Sequence, residues 1–198
     1  MKSISLLKNA ISTIFVFILV LSNIQVLSAQ ASTPQKVFAT KTGQIFFNAT
    51  GGIEKIAAVN NQVDSKFVDA TGQIIFAVLV KGFKFENQLM EDHFNENYME
   101  SEKYPKSTFK GKITNMDKVD VTKDGTYPVT VKGTLEIHGV KKEVETKGTL
   151  KVKGETIASS SEFVVVLDDY KIAIPSVVKD KLSKTAKIKI NCNYNLSK

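Results

Sequence analysis

Hydrophobic and polar residues alternate along most of this chain. From Ala186, the residues Ala186, Ile188, Ile190, Cys192, Tyr194 and Leu196 are separated by Lys187, Lys189, Asn191, Asn193 and Asn195. That period of two puts one face of a strand in a core and the other in water. The same period runs through Val129, Val131, Leu135 and Ile137, pauses at His138 and Gly139, and resumes at Val140, Val144, Leu150 and Val152. His138 and Gly139 are therefore expected to be the central pair of a tight hairpin, the glycine supplying a positive φ. Further strands are expected over 37–40, 43–49, 58–67, 73–80, 107–116 and 157–167, punctuated by turn signals at 50–52 and 124–125. Short strands without intervening helices predict a sandwich or barrel. The runs 74–80 and 163–167 are apolar at successive positions, which predicts cover on both faces of those strands.

One segment breaks the alternation. Asn87 is suited to cap a helix in which Leu89, Met90, His93, Phe94 and Tyr98 form an apolar stripe, with Glu91, Asp92, Glu96 and Glu100 on the opposite side. Pro105 pushes Tyr104 towards an extended conformation, so the chain leaves the helix and re-enters a strand at Ser107. The expected product is a mainly β domain, an antiparallel barrel with one short helix laid against it.

The amino terminus reads differently again. Lys2 and Lys8 precede an unbroken apolar run over 14–21, and Ala29, Gln30 and Ala31 supply a small-residue cleavage pattern. Residues 1–31 are thus read as a secretory signal peptide, since Ser22, Asn23 and Gln25 interrupt the stretch well short of the ~20 apolar residues a spanning helix needs. Residues 32–198 then form a single exported domain, periplasmic or secreted. Loss of the leader removes two of the 27 basic residues and none of the 20 acids, so the net charge falls from +7 to +5.

Every basic residue is a lysine. A nucleic-acid reader is expected to use arginine for forked contacts to guanine or phosphate; these lysines instead occupy alternate strand positions, a solvated outer face. Nucleic acid is not an expected partner, and attraction to anionic membrane surfaces is at most transient. Cys192 has no second cysteine to pair with and falls on an inward position, which makes it a core residue rather than a nucleophile.

Taken in order, several motifs resemble the YceI family. They are the helix segment from Leu89 to Phe94, then Tyr104, Pro105 and Phe109, then Gly133, Leu135, Ile137, His138, Gly139, Val140 and Lys142, and finally Asp169, Tyr170, Ile172 and Pro175. The resemblance spans nearly the whole mature chain. It implies an elongated, lipocalin-like antiparallel barrel of about eight strands whose apolar tunnel holds a polyisoprenoid or similar long-chain amphiphile. Two departures stand out: Lys171 follows the late aromatic where the family often has glycine, and no arginine exists to meet a charged head group.

Such a tunnel needs inward rows of large apolar side chains. The candidates are Phe76, Val78, Val80, Phe83, Phe85, Phe109, Leu135, Ile188, Ile190 and Tyr194, with Leu89, Met90, Phe94 and Tyr98 closing one wall. Each would equally serve a filled core, because parity alone does not separate lining from packing. The candidate polar contacts are His93, His138 and Tyr104. His93, beside Glu91 and Asp92, together with His138 could supply a metal site or a general base. The favoured reading makes His93 a hydrogen-bonded fixture between helix and barrel and His138 a turn residue. No HExxH, CxxC, serine elbow or phosphate loop occurs. The chain is thus expected to be a lipid carrier or buffer with no catalytic residue, resident cofactor or metal. The alternatives are a structural or stress-related envelope protein that binds a partner and, less favoured, a histidine-dependent metalloprotein or enzyme.

Overall fold

The structure, a computed structural model, describes residues 35–52, 55–180 and 182–197. The signal-peptide assignment lies outside them. Nine strands follow in chain order: β1 (Val37–Thr50), β2 (Ala57–Val68), β3 (Gln73–Leu79), β4 (Lys84–Phe85), β5 (Lys106–Ile113), β6 (Gly125–Ile137), β7 (Val140–Lys153), β8 (Thr156–Val166) and β9 (Leu182–Leu196). Among the described residues there is one α-helix, α1 (Gln88–His93), which runs directly into a π-helical turn, Phe94–Tyr98.

Every pairing is antiparallel. The order β1-β9-β8-β7-β6-β5-β3-β2 closes on itself through β1–β2, giving an eight-stranded barrel to which the two-residue β4 adds along β2. Closure through β1–β2 removes the two terminal edges that an open sheet this size would present, leaving unpaired edges within the wall only where neighbouring strands part before their ends. The two strands expected at 37–40 and 43–49 are one bent strand, with register shifts between Thr40 and Gly43 and between Gly43 and Ile45. His138 and Gly139 form the hairpin between β6 and β7, and both take positive φ, 51° and 71°.

The two ends of the barrel differ. Around the β2–β3 and β7–β8 turns and the outer ends of β1 and β9, inward side chains interlock into a packed core that includes Phe38, Phe67, Ile113, Leu150, Ile157 and Tyr194. Phe38 and Phe67, which are paired in register, stack with ring centroids 6.0 Å apart. Tyr194 is fully buried there; its hydroxyl donates to Ser65 Oγ at 2.8 Å, and Ser65 in turn donates to the Ile75 carbonyl. Cys192 belongs to the same core, where burial pushes its thiol up to about 11.

At the other end lie the long connections over 80–105 and 167–181 and the His138–Gly139 hairpin. The outer faces of the doubly apolar strands are not covered there or elsewhere: Ile75, Leu79, Val164 and Val166 are all exposed. The helix is engaged with the barrel mouth instead of the outer wall, which is why the expected cover is missing.

Candidate functional site

The end bearing the helix is hollow. A cavity of about 640 Å³ runs from a floor at Ile74, Ile113 and Leu150 up to α1, and it is open to solvent. Along β1, β3, β6 and β9 it is lined by alternate residues, for example Ile45, Phe47 and Ala49 or Ala186, Ile188 and Ile190. Those are the inward rows of intact barrel strands.

Phe109 shows how the sequence shapes this wall. Its ring lies across Gly111, where an added Cβ would sit 2.4 Å from the ring, and the facing Gly133 would place one 2.4 Å from the Gly111 Cα. The Gly111–Gly133 pair lets β5 and β6 approach closely and lets an aromatic ring lie flat along the interior.

Helix α1 closes over the mouth through four phenylalanines. Phe94 packs against Phe47, Phe83 and Phe85 at centroid distances of 5.6, 5.6 and 5.0 Å, the range in which edge-to-face and tilted aromatic pairs are favourable. The Asn87 side chain accepts from the Leu89 amide at 2.8 Å, the cap its position predicts. Glu91 turns inward rather than decorating the outer side: it is buried, pairs with Lys84 Nζ and accepts from the Phe85 amide. A short helix needs such ties, since six residues are far below the length that holds on propensity alone. The π turn then delivers Met99 into the core, its amide donating to the Phe94 carbonyl at 2.8 Å. A regular 3.6 period misses that residue, because the wide turn inserts one extra position.

Of the tunnel candidates, Phe76, Val78, Phe83, Phe85, Leu89, Met90, Phe94, Tyr98, Phe109, Leu135, Ile188 and Ile190 line the cavity. Val80 and Tyr194 do not. Val80 leaves the strand for a 3₁₀ turn and is buried within the surrounding core; Tyr194 sits in the packed end, where its hydroxyl has a protein partner. Phe47, Phe163, Val165 and Tyr170 line the cavity without having been singled out, although their inward parity marks all but Tyr170. Tyr170 enters from the β8–β9 connection, where period two gives no guidance.

His93 lacks the fixing role expected of it, and His138, the turn residue it was expected to be, takes that role as well. His93 lies on the cavity wall, and its Nδ1 meets only the neighbouring Asn97 amide at 3.3 Å, so it does not tie the helix to the barrel. His138 is the fixture. From the hairpin its Nδ1 lies 3.1 Å from the Tyr170 carbonyl oxygen and its Nε2 lies 2.7 Å from Glu100 Oε2, while its ring meets Tyr104 edge-on at 4.6 Å. It thereby binds together three connections at the hollow end; neither it nor Tyr104 lines the cavity. Among the described residues, no three of His, Cys, Asp and Glu are grouped as metal ligands.

Fold and cavity together define a container: a closed antiparallel barrel, packed at one end and hollow beneath a helix at the other. The YceI-like domain matches residues 26–194, and the chain belongs to that family. Among solved structures it is similar in fold to a polyisoprenoid-binding domain from Saccharophagus degradans, at 12% identity and a TM-score of 0.71, covering 81% of this chain and 98% of that one. It is also similar to BcnA from Burkholderia cenocepacia, at 15% identity and 0.63, over 76% and 95% of the two chains. A YCEI protein from Campylobacter jejuni aligns at 17% identity and 0.55, over 74% and 87%. No curated protein sequence matches.

Proposed function

We propose that the protein is exported on its amino-terminal leader and holds a polyisoprenoid or similar long-chain amphiphile in the hollow end of the barrel, as a carrier or buffer without chemistry of its own. The observation that carries this reading is the cavity: about 640 Å³, walled by Phe, Ile, Leu and Val from β1, β3, β5, β6 and β9. That volume lies within the ~300–1,000 Å³ typical of small-molecule sites. The Saccharophagus degradans domain, similar in fold, is described as polyisoprenoid-binding, and this supports the choice of ligand.

Removing ten methylene equivalents from water contributes about 8 kcal/mol at ~0.8 each before ordering costs. The competing host for such a molecule is a bilayer, whose interior is equally apolar. The hydrophobic terms therefore nearly cancel between the two hosts, and exchange in either direction is close to balanced. That suits a carrier or buffer better than an irreversible sink.

The test is organic extraction of protein purified without detergent, followed by mass spectrometry. A long-chain apolar compound near one per protein is the expected result. An extract without one, from protein that also fails to take up the fluorescent isoprenoid alcohol retinol, overturns the reading.

A further inference from the structure

The barrel wall stops short of the mouth in one place. β7 and β8 pair only from Lys153↔Thr156 to Gly148↔Ser161. Beyond that point β7 continues to Val140 along β6, and β8 continues to Val166 along β9. Their facing edges, residues 140–147 and 162–166, have no partner strand among the described residues.

The end of this ladder has local causes. Gly148 lies so close to the Ser160 carbonyl that a Cβ would sit 2.7 Å from it. One residue further on, the Lys147 carbonyl accepts from the Ser161 hydroxyl at 2.8 Å and the Thr146 hydroxyl at 3.3 Å. Side chains thus satisfy an acceptor that the next rung would have used, and the strands part.

The cavity records the consequence. On β1, β3, β6 and β9 its lining alternates, and Ser107 to Phe109, Gly148 to Leu150 and Ser159 to Ser161 form short runs, but its two longest consecutive runs, Lys142 to Thr146 and Phe163 to Leu167, lie beyond the last β7–β8 rung. In those two long runs outward as well as inward side chains border the cavity, and they fall where the strands have parted, so the space passes between the strands there. The ladder between β2 and β3 also ends early, but there β4 pairs with β2 and Asn60 donates to the Leu79 carbonyl at 3.0 Å, filling the break. Nothing comparable spans β7 and β8 among the described residues.

We infer that the gap between β7 and β8 is a side port through which a long-chain lipid with an uncharged polar end enters and leaves the cavity; the inference rests on the lipid-holding reading above. Its rim suits an apolar chain, because Val164 and Val166 stand 56% and 42% exposed beside it. Unpaired backbone edges keep the gap in contact with water rather than sealed dry. The rim also disfavours anions. Of the charged residues that line it, Lys142 is paired with Asp169 at 3.3 Å, whereas Glu143 and Glu145 make no ion pair among the described residues, Lys132 standing behind the rim opposite Glu145 in the β6–β7 register.

Continuing the register would pair Glu145 with Val164, both exposed. The test is therefore a Glu145→Cys, Val164→Cys variant bridged by a bis-maleimide, with both cysteines capped singly by N-ethylmaleimide as the control for added bulk. Retinol uptake is followed by fluorescence. Bridging before loading should slow uptake about tenfold or more, and bridging after loading should slow release similarly, as expected for closure of a gate. The capped control should match the unmodified variant. Equal rates with and without the bridge overturn the port while leaving lipid binding intact, whereas no uptake by the unmodified wild-type protein overturns both. In the wild-type protein retinoic acid should enter more slowly than retinol, the difference narrowing as salt screens the rim; equal rates at low salt overturn the preference for an uncharged end.

Discussion

The packed and hollow ends are built from the same strands with the same inward alternation, yet one is filled and the other holds a cavity. β9 contributes Tyr194 and Cys192 to the packed end and Ile190, Ile188 and Ala186 to the hollow wall, without any break in its period of two. What changes is size and closure. The packed end gathers Phe38, Phe67 and Tyr194 beneath tight turns at 69–72 and 154–155. The hollow end places its large rings against one another at the rim, where Phe47, Phe83, Phe85 and Phe94 hold a helix over space. An inward row is therefore evidence of a barrel, and the connections decide whether the barrel is filled.

The largest test of this contrast is deletion at the packed end. Phe67→Ala removes a fully buried ring stacked on Phe38 and is expected to cost about 3–5 kcal/mol. Phe163→Ala on the hollow wall, where the ring is only partly buried and already borders the cavity, should cost clearly less. Urea denaturation of both variants measures the difference. Equal losses would mean that the hollow end is packed as tightly as its opposite.

The second test uses pH, because among the described residues the buried groups with strongly raised proton affinity, Cys192 and Tyr194, lie at the packed end. Burial lifts the Cys192 thiol to about 11 from its ordinary 9.0 and also raises Tyr194. The folded state thus keeps protons that the unfolded chain has lost. Stability from this source is fully present below pH 9 and is lost as pH rises towards 11, by about 3 kcal/mol at ~1.36 per unit for the thiol alone. Tyr194 adds a loss of the same sign above pH 10. Denaturation midpoints across pH 8–11 should fall in the wild type, whereas in Cys192→Ala they should flatten between 9 and 10 and keep only the Tyr194 loss above 10; a flat wild-type profile would show that these groups are not held dry.

Adding volume reverses the logic of deletion. Val152→Phe forces a ring into the packed core and is expected to cost about 1–3 kcal/mol. Ile188→Phe places its ring into space the cavity already provides, so it should cost about 1 kcal/mol or less. The same change should lower the amount of retinol bound, read by fluorescence titration. If both substitutions destabilise alike, the hollow end has no room for a ligand.

Much of the frame was legible in the residues themselves. Strict alternation located the strands, the His138–Gly139 pause located a hairpin, and Asn87 located the start of a helix. The site was legible through strand parity and the apolar stripe of the helix, which together named twelve wall residues, but parity also assigned Tyr194, from the wrong end of a correctly read strand, to the tunnel. Three features were hidden for separate reasons. Glu91 is buried because Lys84 and the Phe85 amide await it, and neither contact has a sequence signature. Met99 reaches the core through a π turn that the helical period does not anticipate. The gap after Gly148 and Ser161 depends on where a ladder stops, and alternation continues unchanged on both strands past that point.

The smallest effect compares backbone strain at the two ends. At the packed end the left-handed turns fall on glycines, Gly72 at φ 69° and Gly154 at φ 56°, whereas at the hollow end Glu100, His138 and Lys171 take φ of 42°, 51° and 57° with a Cβ attached. Glu100 and His138 recover part of that cost through their mutual hydrogen bond. Lys171 is exposed and has no side-chain hydrogen bond of this kind to offset it; its left-handed turn follows the 3₁₀ segment Asp168–Tyr170 and lets both Tyr170 and Ile172 point into the core. It also stands where the family resemblance leads one to expect glycine. Lys171→Gly should relieve a left-handed penalty of ~1–2 kcal/mol, less the extra freedom glycine gives the unfolded chain, for a net gain of about 0.5–1 kcal/mol. Thermal and urea denaturation should both register that gain with retinol binding unchanged, because the lysine side chain is not on the cavity wall. A loss of stability would show that the lysine side chain, rather than the backbone conformation, is what the turn requires.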